Sequence, residues 1–377
     1  MTVRSVTELT QIYGMRVLVR VDFNVPIQDG VVQNEFRIVR ALPTISYLIE
    51  QGARVIILTH VGRDADSSTR PLLETLEKHI PVTYVHGVIG EEVLGTITHM
   101  KEGSALLLEN VRSCKEEEEN DDNFAKTLAS YADFYVNDAF SVSHRAHASI
   151  VGIPKHIPSF AGITFMEEYT ELTKALVPEH PSLFILGGAK YETKAPLIEA
   201  YTHEYTNSFI GGALANDFLK GKGYEVGESL VSPVDLKESP LLEKKNLLLP
   251  VDVIAVKGTS ARECLSNEVN ADEKILDIGQ KSIEMLAPYI KEAKTILWNG
   301  PVGHYESHDA GTTAIAKLIA GSDAFSVVGG GDTVAAIESL GLSESFGFIS
   351  TAGGAMLEFL EKHTLPGIEA LKHVPKS

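Results

Sequence analysis

Ten of the eleven arginines lie in residues 1–150, whereas 18 of the 22 lysines lie after residue 150. Arginine presents a planar fork that matches carboxylate and phosphate oxygens, and lysine is a mobile point charge. The two halves are therefore expected to handle anions differently. In the first half, polar residues follow each apolar run. Asp22 and Asn24 follow the first, His60, Gly62 and Arg63 the second, and Asn110 and Arg112 the third. Asp138 and the run His144-Arg145-Ala146-His147 follow the fourth, and Arg37 stands near the start of the first expected helix. Each group alone reads as a cap, a turn or a surface charge. Together they predict a cationic bowl for a small, highly charged ligand. His144 and His147 are three residues apart, but Arg145 between them favours an anion over a metal.

The second half ends its apolar runs in glycine. The edges are Gly187-Gly188-Ala189-Lys190, Gly211-Gly212-Ala213, Asn299-Gly300-Pro301, Gly329-Gly330-Gly331-Asp332 and Gly353-Gly354. Glycine lets a backbone approach a ligand and offer its N–H groups, and a helix starting there adds the positive end of its dipole. With Lys190 and Lys194 nearby, five such edges predict a phosphate site. Asp332, opening a helix, either caps it or holds Mg²⁺ on a nucleotide.

These groups need a frame. Val/Ile/Leu-rich runs at 16–23, 53–60, 104–109, 134–138, 182–188, 208–212, 247–256, 295–300, 324–330 and 346–350 read as strands buried on both faces. The longer amphipathic stretches between them, such as 121–131, 311–320 and 332–340, read as helices. That alternation predicts an α/β protein with two doubly wound parallel-sheet domains joined by a hinge helix. In open parallel sheets ligands bind at the carboxyl ends of the strands, where the polar and glycine groups fall. A Pro-rich approach and a periodic segment at 163–176 place the hinge at 159–179. The expected domains are 1–158 for one ligand, 180–360 for the other, and a tail at 361–377.

Several function classes are excluded. A net charge of −18 argues against wrapping nucleic acid, which requires a basic surface. There is no P-loop, no dinucleotide fingerprint after the first strand, no nucleophile elbow and no zinc-binding pattern. No apolar run is long enough for a membrane span and no secretory leader is evident. Two cysteines, Cys114 and Cys264, make no disulfide framework, so a cytoplasmic protein is expected. The acidic run 116–119 reads as a solvated loop or helix start.

In order along the chain, VLVRVDFNVP (17–26), THVGR (59–63), ENVR (109–112), VNDAF (136–140), HRAHAS (144–149), LGGAK (186–190), PVDV (250–253), LWNGPV (297–302), VGGGDT (328–333) and STAGGA (350–355) resemble the phosphoglycerate kinase family. The resemblance implies a two-domain hinge enzyme of glycolysis. It would transfer a phosphoryl group between 1,3-bisphosphoglycerate and ADP, giving 3-phosphoglycerate and ATP, with Mg²⁺ on the nucleotide. It implies a monomer. The substrate residues by motif are Asp22, Asn24, Arg37, His60, Arg63, Arg112, His144 and Arg145. The nucleotide residues are Lys190, Lys194, Gly212, Asn299, Pro301, Glu306, Gly329, Gly330, Gly331, Asp332 and Thr333, with Asp332 toward the metal. The catalytic set is Arg37, Lys194 and the N–H groups of Gly353 and Gly354. The tail is expected to return to the N-terminal domain.

The chain departs from the family pattern at Ser113, Thr193, Ala213, Ala352, His304 and Tyr305, and in a short loop after Arg63. None of these removes a charge that phosphoryl transfer requires. A dehydrogenase or other nucleotide-binding α/β enzyme is one alternative, and lacks its glycine fingerprint. A non-catalytic hinged binding protein is another, and lacks its usual leader.

Overall fold

The computed structural model describes residues 2–62 and 64–373. The described residues form two compact units, 2–170 with 364–373, and 171–363. Each is built on a six-stranded parallel sheet.

In the first unit the strand order is Val82–Tyr84, Ser104–Leu107, Arg54–Leu58, Arg16–Val21, Phe134–Asp138, Ser159–Ala161. The central strands are buried almost throughout, as continuous apolar runs require when helices cover both faces. Register places Val19 beside Ile57 and Val136. One core cluster joins these strands to the helix Phe36–Glu50 through Ile38, Ala41, Ile45 and Leu48. The helix Pro366–Leu371 packs in this unit, where Gly367 N–H donates to Ser143 O at 2.8 Å. Of the expected tail, residues 374–377 lie outside the described residues.

In the second unit the order is Leu247–Leu248, Asn207–Ile210, Ser182–Leu186, Thr295–Asn299, Phe325–Gly329, Phe348–Ile349. Trp298 is fully buried between Ile185 and Val328 in register, and its Nε1–H donates to Gly300 O at 2.9 Å. The indole is thus both a core side chain and a brace for a strand-end glycine.

The apolar run 247–256 is not one strand. It divides into Leu247–Leu248, at the edge of the parallel sheet, and Asp252–Lys257, which is central in a separate antiparallel sheet with Ser260–Leu265 and Lys274–Ile278. Pro250 has no N–H to continue a ladder, and Ser282 Oγ accepts from the N–H groups of Val251 and Asp252 at 3.0 and 3.1 Å. The signal of the new sheet is the Gly258-Thr259 pair between Lys257 and Ser260, a two-residue hairpin loop.

The helix Ile163–Leu176 carries the chain from one unit to the next, and the division falls inside it, after Thr170. Its first turn is tied to the first unit: Ile163 N–H donates to Thr44 Oγ1 at 2.8 Å and Phe165 N–H to Asp138 Oδ1 at 2.9 Å. Its end is tied to the second, where Tyr205 Oη donates to Ala175 O at 2.8 Å.

Replacing Trp298 by Ala should destabilise the second unit by about 3–5 kcal/mol, the usual cost of emptying a large aromatic site. Urea unfolding followed by far-UV circular dichroism checks this. A loss below about 1 kcal/mol would mean that the indole site collapses freely.

Candidate functional site

All strands of the first sheet run parallel, so Asp22, His60, Arg112 and Arg145 gather at its carboxyl edge with Arg37 from the following helix. Arg63 lies outside the described residues. Asp22 accepts from Arg37 Nη1 and Ser141 Oγ, and its other oxygen accepts from Asn24 N–H at 3.1 Å. Asn24 Oδ1 accepts from Gly62 N–H at 2.9 Å, while Arg112 Nη1 donates to Gly62 O at 2.7 Å. Gly62 thereby joins the ends of three strands. Its φ of +70° and a Cβ position only 2.6 Å from Ser67 Oγ admit no larger residue without strain. Asn110 clamps the same loop, donating to Val61 O and Ser67 O at 2.9 and 2.7 Å.

Arginine charge dominates the edge. Arg37 pairs with Asp22 and Arg112 with Glu118 at 3.4 Å, but no carboxylate pairs with Arg145 among the described residues. His60 is 2% exposed. Burial, with the charges of Arg20, Arg112, Arg145 and Arg37 added, holds its imidazole far below its ordinary range, so it is neutral. Burial and Arg145 likewise lower Arg112, against the pull of Glu118. His144 is partly buried on the segment that precedes Arg145.

Sequence reasoning passes over Arg20, a charged residue inside the buried strand Arg16–Val21, and its signal is that position. Arg20 is 2% exposed. Its Nε donates to Ser149 Oγ at 2.9 Å, Nη1 to Val21 O at 2.5 Å and Nη2 to His60 Nδ1 at 3.2 Å. The acidic run 116–119 also differs from expectation. It overlaps the short helix Lys115–Glu118, in line with the helix-start reading, but Glu117 is fully buried rather than solvated, accepting from Ser149 N–H at 2.8 Å and Ser149 O–H at 2.6 Å. Burial raises its pKa, opposed by Arg20 and Ser149. His147 Nδ1 lies 3.8 Å from Glu117, yet burial lowers His147 to about 4, so the two form no ion pair at neutral pH.

In the second unit the glycine edges are stitched to one another. Gly187 N–H donates to Asn299 O and Gly188 N–H to Pro301 O, both at 2.9 Å. Gly212 N–H donates to Val302 O and Leu214 N–H to Gly188 O, both at 2.8 Å. A Cβ on Gly212, whose φ is +62°, would stand 2.7 Å from Gly188 N and 2.8 Å from Pro301 O. Only glycine lets the three edges close. Helices begin on these edges at Tyr191, Gly212, Gly331 and Gly354, which places N-termini on the same side.

Beside them lies a cleft of about 650 Å³ lined by Gly212, Ala213, Pro301, His304, Tyr305, Glu306 and Asp332. Its other wall is Lys274, Ile275, Leu276, Asp277 and Ile278 from the small antiparallel sheet, with Leu230. That wall was not anticipated, because the sheet was not. Burial pushes Asp277 up to about 6, against the N–H groups of Gly311 and Ile278 that donate to it.

Lys190, Lys194, Asn299, Gly329, Gly330, Gly331 and Thr333 do not line the cleft. Lys190 precedes the helix Tyr191–Glu204 with a left-handed φ of 68° and is exposed. Lys194 is buried, and its Nζ donates to Gly187 O. Asn299 turns beneath the edge, with Nδ2 3.8 Å from Met356 Sδ. Gly353 precedes the helix Gly354–Lys362, and both glycines are exposed with open space around them.

Asp332 makes no capping hydrogen bond in the helix Gly331–Ser339 and is exposed, so its carboxylate is available as a ligand. Thr333 Oγ1 is buried without a partner. An open carboxylate and an orphaned hydroxyl beside a helix N-terminus fit a phosphate carrying a divalent cation. No group of three His, Cys, Asp or Glu among the described residues could hold a metal alone, so the phosphate would supply the remaining ligands.

A family model described as phosphoglycerate kinase matches residues 6–363. A phosphoglycerate kinase of Dictyoglomus turgidum is 45% identical, covering 95% of this chain and 96% of that protein. One of Clostridium beijerinckii is 42% identical over 98% of each. Among solved structures, phosphoglycerate kinase from Coxiella burnetii has a TM-score of 0.88 at 37% identity, covering 98% of this chain and 99% of that one. The enzyme from Pyrococcus horikoshii OT3 has a TM-score of 0.84 at 31% identity over 98% of each.

Burial lowers Lys194 from the ordinary 10.5 to about 8. Its folded pKa lies below its unfolded one, so between about pH 8 and 10.5 the unfolded chain binds more protons and stability rises with pH. The penalty is full below that window. Urea unfolding of Lys194→Met and the parent chain should therefore give a stability difference that shifts in the parent's favour across it. A pH-independent difference would show that Lys194 titrates as a solvated lysine.

Proposed function

We propose, for a chain that belongs to the phosphoglycerate kinase family and so catalyses reversible phosphoryl transfer between 1,3-bisphosphoglycerate and ADP, that the arginine edge holds the glycerate and the glycine edge the nucleotide. One observation carries this assignment. Arg37, Arg112 and Arg145 stand at one sheet edge with the buried His60, to which Arg20 donates, and fewer carboxylates than guanidiniums are at hand. Such an excess of positive charge is stable when an anion completes it.

In this reading Arg37, Arg63, Arg112 and Arg145 bind the phosphate and carboxylate of 3-phosphoglycerate, and Asp22 and Asn24 set Arg37 and the Gly62 loop. His60 and His144 complete the edge. The cleft takes the nucleoside, with Gly212, Pro301 and Glu306 along its wall. Lys190 faces phosphate oxygens, and Asn299 supports the turn at Gly329 and Gly330 from below. Asp332 would hold Mg²⁺, Thr333 would offer its free hydroxyl to a phosphate oxygen, and the Gly331 N–H lies at the same helix start. Mg²⁺, when bound, neutralises phosphate charge and orients the terminal group.

Phosphoryl transfer asks for in-line placement and for positive charge around the moving group. The acceptor carboxylate is ionised at neutral pH and needs no general base, which accords with the lack of a nucleophile–base pair among the residues assigned. Arg37 stabilises charge from the glycerate side. Lys194 does so from the nucleotide side, and an approaching phosphate restores the charge that burial disfavours. The N–H groups of Gly353 and Gly354 stabilise the transferring oxygens. Water must be kept out, because it hydrolyses the acyl phosphate.

We also assign the enzyme to the cytoplasm as a monomer. No helix among the described residues is long and apolar enough to cross a membrane, both cysteines are free thiols, and one chain carries both residue sets.

The direct test is a coupled ATP-dependent assay on 3-phosphoglycerate, with and without Mg²⁺. Turnover that is absent, or indifferent to Mg²⁺, would overturn the assignment. Arg37→Ala should lower turnover by roughly 10³-fold or more while leaving ADP affinity unchanged, on the scale of other phosphoryl-stabilising arginines. Asp332→Ala should weaken Mg-nucleotide binding more than 3-phosphoglycerate binding in calorimetry. Equal losses would indicate damage to the fold.

A further inference from the structure

The arginine edge rests on a chain of fully buried polar groups. Glu117 accepts from both the N–H and the O–H of Ser149, at 2.8 and 2.6 Å. Because the Ser149 hydroxyl proton is committed to Glu117, its oxygen is left to accept from Arg20 Nε at 2.9 Å. Arg20 then donates through Nη2 to His60 Nδ1 at 3.2 Å. A guanidinium has donors only, so His60 Nδ1 must offer its lone pair, and the neutral ring carries its proton on Nε2. Every link in this chain has one direction.

Arg20 has no carboxylate within ion-pair distance among the described residues, and its remaining Nη1 bond goes to Val21 O. The orientation of its guanidinium is therefore set jointly by Val21 O and by Ser149, and that of Ser149 by Glu117. Tyr135 Oη donates to Ser149 O at 2.6 Å and holds the same turn in place. Besides Arg20, the groups acting on Glu117 include Arg112, Tyr135 and His147; His147 is 3.8 Å away and neutral at pH 7, so it does not replace Arg20 as the positive partner.

We propose that Glu117 and Ser149 are positioning residues for the glycerate site: acting through Arg20, they lock His60 in the Nε2–H tautomer, so that the arginine edge presents a neutral donor to a glycerate oxygen. This rests on the assignment of that edge to 3-phosphoglycerate. A charged imidazole would add repulsion to the arginines, and the opposite tautomer would turn an acceptor lone pair toward an anion. The device removes both costs without placing a carboxylate beside the ligand. Glu117→Gln breaks it, since neither orientation of the amide accepts from both the N–H and the O–H of Ser149. Ser149→Ala breaks it by removing the acceptor for Arg20 Nε.

The test has two arms. In ¹⁵N-resolved NMR of the full chain without ligand, His60 is expected to show a single Nε2–H tautomer. Glu117→Gln and Ser149→Ala should turn this into a mixture. In both variants KM for 3-phosphoglycerate should rise about tenfold, while KM for Mg-ATP stays within about twofold. Variants that lose thermal stability yet keep the His60 tautomer and the ratio of the two KM values would reduce Glu117 to a folding residue and overturn the proposal. Should neither variant fold, the parent chain still decides: an Nδ1–H tautomer overturns it. Failure of the kinase assignment would appear separately, as a parent chain without turnover, and would leave the tautomer measurement interpretable.

Discussion

Guanidinium groups repel one another, and this chain gathers four of them at or beneath one sheet edge that also holds a buried imidazole. Much of the first unit is organised by that constraint. The parallel sheet brings the strand ends together, but it does not make their charges compatible. Compatibility comes from backbone oxygens at Gly62 and Val21, from the carboxylates of Asp22 and Glu118, and from Glu117 at one remove. The imidazole stays neutral, which spares a further repulsion. Positive charge still remains in excess, and an excess of this kind attracts a small polyanion inside a protein whose net charge is −18.

In the proposed assignment the second unit handles phosphate by different means. It offers few fixed cations at its glycine edge. There, backbone N–H groups, helix starts and one buried lysine are assigned the equivalent work. The cross-stitching of Gly187, Gly188, Gly212 and Pro301 makes that edge rigid, because each glycine is already bonded to the next edge. The two solutions suit different ligands. In that assignment forks hold a compact glycerate with two anionic ends, whereas a cleft and a row of amides hold a nucleotide with a flat base and a phosphate tail.

Much of this was legible in residue order. Buried apolar runs ending in polar or glycine groups located both edges, because the carboxyl ends of parallel strands converge on one side. The segment 163–176 could be read as a helix from its periodicity and flanking prolines, and Ile163–Leu176 is one. The run 247–256 could not be read correctly from hydrophobicity, since Pro250 and the hairpin at Gly258 divide it between two sheets. The far wall of the cleft was missed for the same reason. Glu117 was missed because a run of four acidic residues looks solvated, and nothing local marks which of the four turns inward.

By itself, then, the order of residues determined the two parallel sheets, the separation of arginines from glycine-flanked lysines, and the family to which the chain belongs. Those features follow from local chemistry: strand patterning, backbone freedom at glycine, and the reach of each side chain. Tertiary structure alone decided that Arg20 faces Ser149 rather than a carboxylate, that Glu117 lies beneath the arginine edge, and that Lys194 is buried with its Nζ on Gly187 O. Hydrogen-bond direction and burial depend on which distant segments meet, and no spacing along the chain encodes that meeting.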